Sequence, residues 1–310
     1  MSPEDGAPGH SQAPRAAGPV ALLAGGGALP GLLAEALIRR GRPVRILAFR
    51  GFAERALVRR ADLVVDLIDY KRSFAALRSW APAEVVLVGP VNRPKPGAFM
   101  GALAAFRNRE EIAAILGSGD DGLLTGVVRV LEDQGFVVSG IDSLAPELLA
   151  QSGQLGAVAP DAESRASIAV GLAALAALSP FDVGQAVAVC ARWIAAIEGP
   201  EGTDAMLKRV RSLRSGRRLR AIHGGVLVKA PKRGQDLRVD LPTIGPRTVV
   251  RAAAAGLRGI AIAAGATLVI DPERTVAEAD RRGLFLIAVD EAGAFDTAPG
   301  IDAAGARGAP

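Results

Sequence analysis

The sequence predicts an α/β protein: an N-terminal Rossmann-like domain on a parallel sheet, then a second α/β domain. Three observations lead there. Short apolar runs alternate with stretches of helical spacing, the pattern of parallel strands joined by crossover helices. The first run ends in three glycines directly ahead of a helix. The length, 310 residues, corresponds to two domains at roughly 150 residues each. Half the residues are hydrophobic and only 4% aromatic, so the core must be built mostly of Ala, Val, Leu and Ile.

Residues 1–18 are rich in Pro, Gly, Ala and Ser and read as a disordered tail, as do 292–310. The N-terminal domain is expected over 19–150. Val20 to Ala24 is a buried strand, and 32–40 has helical spacing that stops at Gly41. Strands at 43–51 and 62–67, a helix at 71–80 and a strand at 84–91 continue the alternation. Helices near 98–116 and 121–135 and a strand at 136–140 follow. The Gly/Pro/polar stretch 151–162 reads as a linker.

The C-terminal domain is expected over 163–291. It opens with an Ala-rich helix at 163–178. Residues 185–198 suit a long strand, a hairpin or a helix, and β structure fits best. A helix at 203–214, strands at 225–230 and 237–241 and a helix at 246–255 come next. GIAIAA, TLVI, a helix at 272–282 and LFLIAVD restore the alternation.

Composition narrows the chemistry. The single cysteine, Cys190, excludes an intramolecular disulfide and a cysteine-based zinc site. The two histidines are His10, in the tail, and His223, so a multi-histidine metal centre is excluded. Any metal must be held by carboxylates, carbonyls and substrate phosphate, which favours Mg²⁺. The net charge of +5 suits an anionic partner without choosing one. No uninterrupted apolar run reaches the roughly 18 residues of a membrane span. MSPEDGAPGH lacks the basic and apolar regions of a signal peptide, so a cytoplasmic protein is expected.

Five motifs carry candidate chemistry. Gly25-Gly26-Gly27-Ala28-Leu29-Pro30 can present backbone N–H groups to an anion at a helix start, or be only a tight turn. Pro30 replaces the third glycine of a dinucleotide fingerprint and Phe49-Arg50 stands where a ribose-binding acid is expected, so NAD(P) fits poorly. Gly89-Pro90-Val91-Asn92-Arg93-Pro94 follows a strong strand, where Asn92 and Arg93 can bond a base or phosphate; a Pro-rich turn is the alternative. Asp120 and Asp121 suit polar contact to a nucleoside or sugar, and equally a helix cap. Glu201-Gly202-Thr203-Asp204 sets two carboxylates three apart beside a helix start, able to meet one divalent ion or to cap.

The fifth motif, KAPKRGQDLRVDLPTIG from Lys229 to Gly245, carries most. If 237–241 is extended, Asp236, Arg238 and Asp240 share one face, opposite Leu237, Val239 and Leu241. An acid there can hold Mg²⁺ or activate water, and Lys or Arg can stabilise phosphoryl charge. A solvated face of salt bridges is the plain alternative. Cys190 reads as packing and His223 as incidental. The basic stretch 208–220 reads as a solvated helix face or a contact for anionic headgroups; it lacks the aromatics that stack nucleic-acid bases.

GGGALP, GPVNRP, GDDGLL, EGTDAML and KAPKRGQDLRVDLPTIG, in this order over about residues 20–290, resemble the LpxI-type UDP-2,3-diacylglucosamine pyrophosphatases of lipid A biosynthesis. The resemblance implies Mg²⁺-dependent hydrolysis of UDP-2,3-diacylglucosamine to UMP and 2,3-diacylglucosamine 1-phosphate (lipid X), with water attacking the sugar-side phosphorus. It places the family's essential aspartate at Asp240 and the EGTD acids at Glu201 and Asp204. The candidate catalytic residues are therefore Asp240, Lys229 and Arg238, and the candidate metal ligands Asp240, Asp204, Glu201 and Asp236. Candidate substrate contacts are Gly26, Gly27, Ala28, Leu29, Asn92, Arg93, Asp120, Asp121, Thr203, Gln235 and Thr243. A homodimer without nucleic acid, touching the inner membrane peripherally, is expected. The competing readings are a non-enzymatic nucleotide- or lipid-binding protein of the same fold and an NADP-linked reductase.

Overall fold

The computed structural model describes residues 18–91, 120–181, 183–215, 224–238, 240–290 and 293–294. These fall into two compact units. One holds 18–91 and 130–139; the other holds 120–129 and the described residues from 140 onward.

The first unit is built on β1 (Val20–Ala24), β2 (Val44–Phe49), β3 (Leu63–Val65) and β4 (Glu84–Val88). They form one all-parallel sheet in the order β3-β2-β1-β4. β1 is central and buried throughout, which explains why its sequence is continuously apolar instead of alternating. The crossovers contain α1 (Leu29–Arg39), α2 (Arg55–Val58) and α3 (Tyr70–Trp80). Pro30 sits in the first turn of α1, where its missing N–H costs nothing. Asp69 caps α3 by accepting from the Arg72 N–H. The buried Glu84 is satisfied by Arg42 at 2.7 Å and Ser139 at 2.8 Å.

Two expectations change here. The strand expected at 136–140 contributes only a single bridge, Val138 to Val85. The chain reaches it from a tight turn at Gly135 (φ 85°) and enters α5 (Ile141–Leu144) at once, so it has no length for a ladder. The helix expected near 98–116 lies outside the described residues. α4 (Asp120–Asp133) matches the next expected helix.

The second unit centres on a six-stranded mixed sheet, order β5-β12-β10-β8-β6-β7. Its strands are β5 (Gly153–Gln154), β6 (Ala186–Cys190), β7 (Trp193–Ile197), β8 (Val226–Lys229), β10 (Gly259–Ala263) and β12 (Phe285–Val289). β8, β10 and β12 run parallel, while β5, β6 and β7 each oppose a neighbour. A two-stranded pair, β9 (Thr243–Ile244) with β11 (Leu268–Val269), stands apart from it. Helices α6 (Ala162–Leu178), α7 (Gly202–Ser215), α8 (Pro246–Ala254) and α9 (Pro272–Arg281) complete the unit.

Strand alternation sorts the core into two layers. Ala186, Ala188, Leu227, Ile260, Ile262 and Leu286 pack with Met206, Leu207 and Val210 of α7, Val249 of α8 and Ala279 of α9. Val187, Val189, Val228, Ala261 and Ile287 face the other way, onto Ile168 and Leu175 of α6.

The sequence reading is corrected in two places. Residues 151–162 are not a bare linker: β5 lies there, and Leu155 N–H bonds Leu286 O at 2.9 Å. The described residues of 237–241 do not form the expected strand. Leu237 and Arg238 lie in a turn, and the Asp240 N–H reaches back to Asp236 O at 3.4 Å. Gly234, at φ 77°, lies in a separate turn just before it, closed by the Gln235 N–H on Lys232 O, and Pro242 denies a ladder its N–H. Of the alternatives for residues 185–198 the hairpin is the one formed, β6 to β7, in line with the β reading; its turn places Ala191 and Arg192 at φ 48° and 64°. Neither residue advertises a left-handed turn. Finally, Ala162–Phe181 is long and apolar enough to cross a membrane by length and composition, because its charges cluster at one end. Ser167, Ile168, Gly171 and Leu175 of this helix are buried.

Candidate functional site

A buried polar network lies at the C-terminal end of β8. Lys229, the last residue of that strand, is 8% exposed. Its Nζ donates to Thr203 Oγ1 at 2.8 Å, and that hydroxyl donates to Glu198 Oε1 at 2.5 Å. Glu198, also 8% exposed, directly follows β7; Thr203 sits in the first turn of α7. The second oxygen of Glu198 accepts from the Gln185 backbone N–H at 2.9 Å. The Gln185 side chain in turn donates to Asp240 Oδ2 at 2.5 Å. Gln235 donates to the same oxygen at 2.6 Å and to the Asp240 carbonyl at 3.0 Å. Its own amide oxygen accepts from the Lys232 N–H at 2.9 Å, so Gln235 ties the 232–240 loop together. Among the described residues, Thr203 is the hydrogen-bond partner of Lys229, which leaves two ammonium N–H groups for an anion. The network brings Lys229, Asp240, Thr203 and Gln235 together.

The other expected acids are placed differently. Asp204 is held by two guanidiniums of α8, Arg247 at 2.5 Å and Arg251 at 3.0 Å. Glu201 pairs with Arg209 at 2.7 Å; its own backbone N–H and then Arg209 hold its carboxyl below the ordinary value. Asp236 is clasped by Arg238 through Nε–Oδ1 at 2.9 Å and Nη2–Oδ2 at 2.7 Å. That guanidinium, bonded side chain to side chain, holds the Asp236 carboxyl below the ordinary 3.8. Among the described residues no group of three or more His, Cys, Asp and Glu side chains converges to hold a metal. Arginines pair with Glu201, Asp204 and Asp236, and the Asp204 pairs tie α7 to α8.

Three further readings meet their geometry here. Thr243 spends its hydroxyl on the Leu241 carbonyl at 3.0 Å. Arg214 does not lie on a solvated face: it turns inward to the Gly224 carbonyl and to Cys190 Sγ. Cys190 is fully buried, and desolvation pushes its thiol upward.

In the first unit the glycine motif makes close contacts of its own. The Gly25 and Gly26 N–H groups bond Val88 O and Pro90 O, both at 2.8 Å. A Cβ on Gly25 would fall 2.4 Å from Gly89 O, so glycine is required there for loop-to-loop approach. Gly27 (φ 74°) turns the chain into Ala28, the N-cap of α1, and Leu29, its first residue. Asn92, Arg93 and His223 lie outside the described residues, as do the side chains of Asp120 and Asp121.

Two domain families match the chain in sequence. The LpxI N-terminal domain matches residues 19–148 and the LpxI C-terminal domain matches 151–287. The UDP-2,3-diacylglucosamine pyrophosphatase LpxI of Caulobacter vibrioides is 40% identical over 270 residues, covering 87% of this chain and 96% of that protein. The chain belongs to the LpxI family. In this LpxI-family chain the C-terminal domain match contains every residue of the buried polar network.

Sequence reading missed two members of the network in this LpxI chain, Glu198 and Gln185. Glu198 carried a signal: it is a lone acid closing an apolar strand, immediately before Gly199. A charged residue that ends a run otherwise facing the core needs a partner. Gln185 had no such mark, because its role depends on the hairpin that sets it beside the end of β8.

Proposed function

We propose that this chain hydrolyses the pyrophosphate bond of UDP-2,3-diacylglucosamine, releasing UMP and 2,3-diacylglucosamine 1-phosphate. The LpxI match over both halves of the chain supports the reaction. The observation that carries the site is that Lys229 and Asp240, 11 positions apart in sequence, join one buried hydrogen-bond network at the C-terminal end of a parallel strand. Ligands in open α/β sheets bind at such strand ends.

Water attack on a diphosphate adds a nucleophile to a phosphorus already surrounded by negative oxygens, so charge neutralisation dominates. The Lys229 ammonium points two remaining N–H donors at non-bridging oxygens. Asp240 is the anchoring carboxylate, its Oδ2 oriented by Gln185 and Gln235. A single fixed carboxylate fits Mg²⁺, which is commonly held by about one or two carboxylates with the rest supplied by water and substrate phosphate. Bound there, Mg²⁺ supplies further neutralisation of the diphosphate. Water bonds the sugar-side phosphorus, the bond to the bridging oxygen breaks, and UMP leaves with that oxygen. Gly26, Gly27, Ala28, Leu29, Asn92, Arg93, Asp120 and Asp121 remain the proposed nucleotide contacts of the N-terminal half. The protein acts in the cytoplasm as a homodimer, meeting its acylated substrate at the inner-membrane face.

The test is direct. Purified protein is incubated with UDP-2,3-diacylglucosamine and Mg²⁺ in H₂¹⁸O, and products are read by mass spectrometry. UMP and singly ¹⁸O-labelled 2,3-diacylglucosamine 1-phosphate are expected. Absence of turnover refutes the reaction, and label in UMP refutes attack at the sugar-side phosphorus.

A further inference from the structure

We infer that Glu198 is the positioning residue of this site: its two carboxylate oxygens separately aim Lys229 and Asp240. The inference rests on the pyrophosphatase reading for its kinetic part and on geometry for the rest.

The direction of each bond follows from proton count. A lysine ammonium only donates, and a threonine hydroxyl has one proton. Lys229 must therefore donate to Thr203, and Thr203 must donate to Glu198. That fixes the hydroxyl rotor and sets the ammonium. The other oxygen takes the Gln185 N–H, whose side chain reaches Asp240. Glu198 is thus the one group bonded to both the cation arm and the acid arm.

The hairpin does not require this carboxylate. Backbone bonds already carry the chain past β7: Glu198 N–H to Ala186 O at 2.9 Å and Gly184 N–H to Glu198 O at 3.1 Å. Gly184 lets the chain pass close to this residue: a Cβ there would stand 2.5 Å from Glu198 Cγ and 2.7 Å from both its Cβ and its carbonyl oxygen. Among the described residues Glu198 has no guanidinium partner, and a buried carboxylate so placed is a costly group to keep for packing alone.

Glu198→Gln isolates the role because it keeps shape. An amide has one acceptor oxygen where the site needs two. With its NH₂ toward Gln185, two donors face each other. With its NH₂ toward Thr203, the hydroxyl receives protons from both sides and its own proton loses its acceptor. Either way one arm is released. Misplacement of about 1 Å at a reacting group costs on the order of 10²-fold in rate, so kcat is expected to fall about that far with KM changed little.

Three measurements decide the matter, each on the full chain with the thermal melt as a folding control. First, lysine acylation by an amine-reactive ester is mapped by mass spectrometry. Lys229 should label faster in Glu198→Gln and Thr203→Val than in wild type, and an unchanged rate overturns the inference. This readout needs no turnover. Second, Thr203→Ser, which keeps the hydroxyl, should recover most of the loss seen in Thr203→Val; equal losses overturn the relay. Third, Glu198→Gln is combined with Lys229→Met. If Glu198 acts on the reaction partly through Lys229, the double variant loses less than the product of the single losses; fully multiplicative losses overturn it. Inactive wild-type protein would sink the pyrophosphatase reading, while the labelling result would still judge the positioning role.

Discussion

Replacing Asp240 by Asn removes a charge and keeps the shape. In the structure its Oδ2 accepts from Gln185 at 2.5 Å and Gln235 at 2.6 Å. With the Asn oxygen in that position both bonds survive, but each loses its charge assistance. Charge-assisted bonds are worth roughly 1.5–3 kcal/mol and neutral ones roughly 0.5–1.5. The two losses then total about 2 kcal/mol, and less because Asp240 is only half-buried. A protein with about 5–15 kcal/mol of stability remains almost wholly folded after that. Catalysis pays differently. Losing one preorganised group that stabilises transition-state charge costs about 10²–10³ in kcat, or about 2.7–4 kcal/mol. Asp240→Asn should thus melt cooperatively only a few degrees below wild type yet lose at least about a hundredfold in UMP release. A hundredfold loss cannot arise from unfolding of this size, so the two readouts separate the causes. Turnover within about threefold of wild type, with the melt intact, would remove Asp240 from the mechanism.

Three further outcomes are expected. Asp204→Asn frees Arg247 and Arg251 of α8, but such surface pairs are worth at most about 1 kcal/mol each, so a small drop in urea midpoint with near-normal kcat is expected. Collapse of kcat there would restore Asp204 as a metal ligand. Asp236 has its folded-state pKa depressed by Arg238, so its contribution is present above the ordinary 3.8 and lost as pH falls through the lower folded value. Arg238→Ala should accordingly flatten the acid side of the stability–pH curve, read as urea midpoints from pH 6 downward. Chelation by EDTA should abolish turnover, with Mg²⁺ restoring it, while circular dichroism stays unchanged, because the described carboxylates are tied by protein hydrogen bonds and ion pairs that hold without metal.

The LpxI assignment was legible because it depends on residue types at fixed spacing within short stretches. So were the strands: continuous apolar runs such as Val20–Ala24 and Phe285–Val289 are buried in parallel neighbours and read plainly. Residues 185–198 read as β structure with a hairpin among the alternatives, but the turn could not be placed, since Ala191 and Arg192 adopt left-handed backbone without the usual Gly or Asn. The stretch 236–240 failed for the opposite reason. Its period-two pattern imitates a strand, and the turn wins because Asp236 closes on Arg238 and Asp240 on two amides.

By itself the amino-acid order determined the alternating α/β plan and the LpxI family, because each is a local property of pattern. Tertiary structure alone decided which acids are set against arginines: only folding brings Arg247 and Arg251 of α8 to Asp204, Arg209 to Glu201 and Arg238 to Asp236. It also supplied Glu198 and Gln185, since a hydrogen-bond network across β7, α7, β6 and β8 joins residues that have no spacing rule in common.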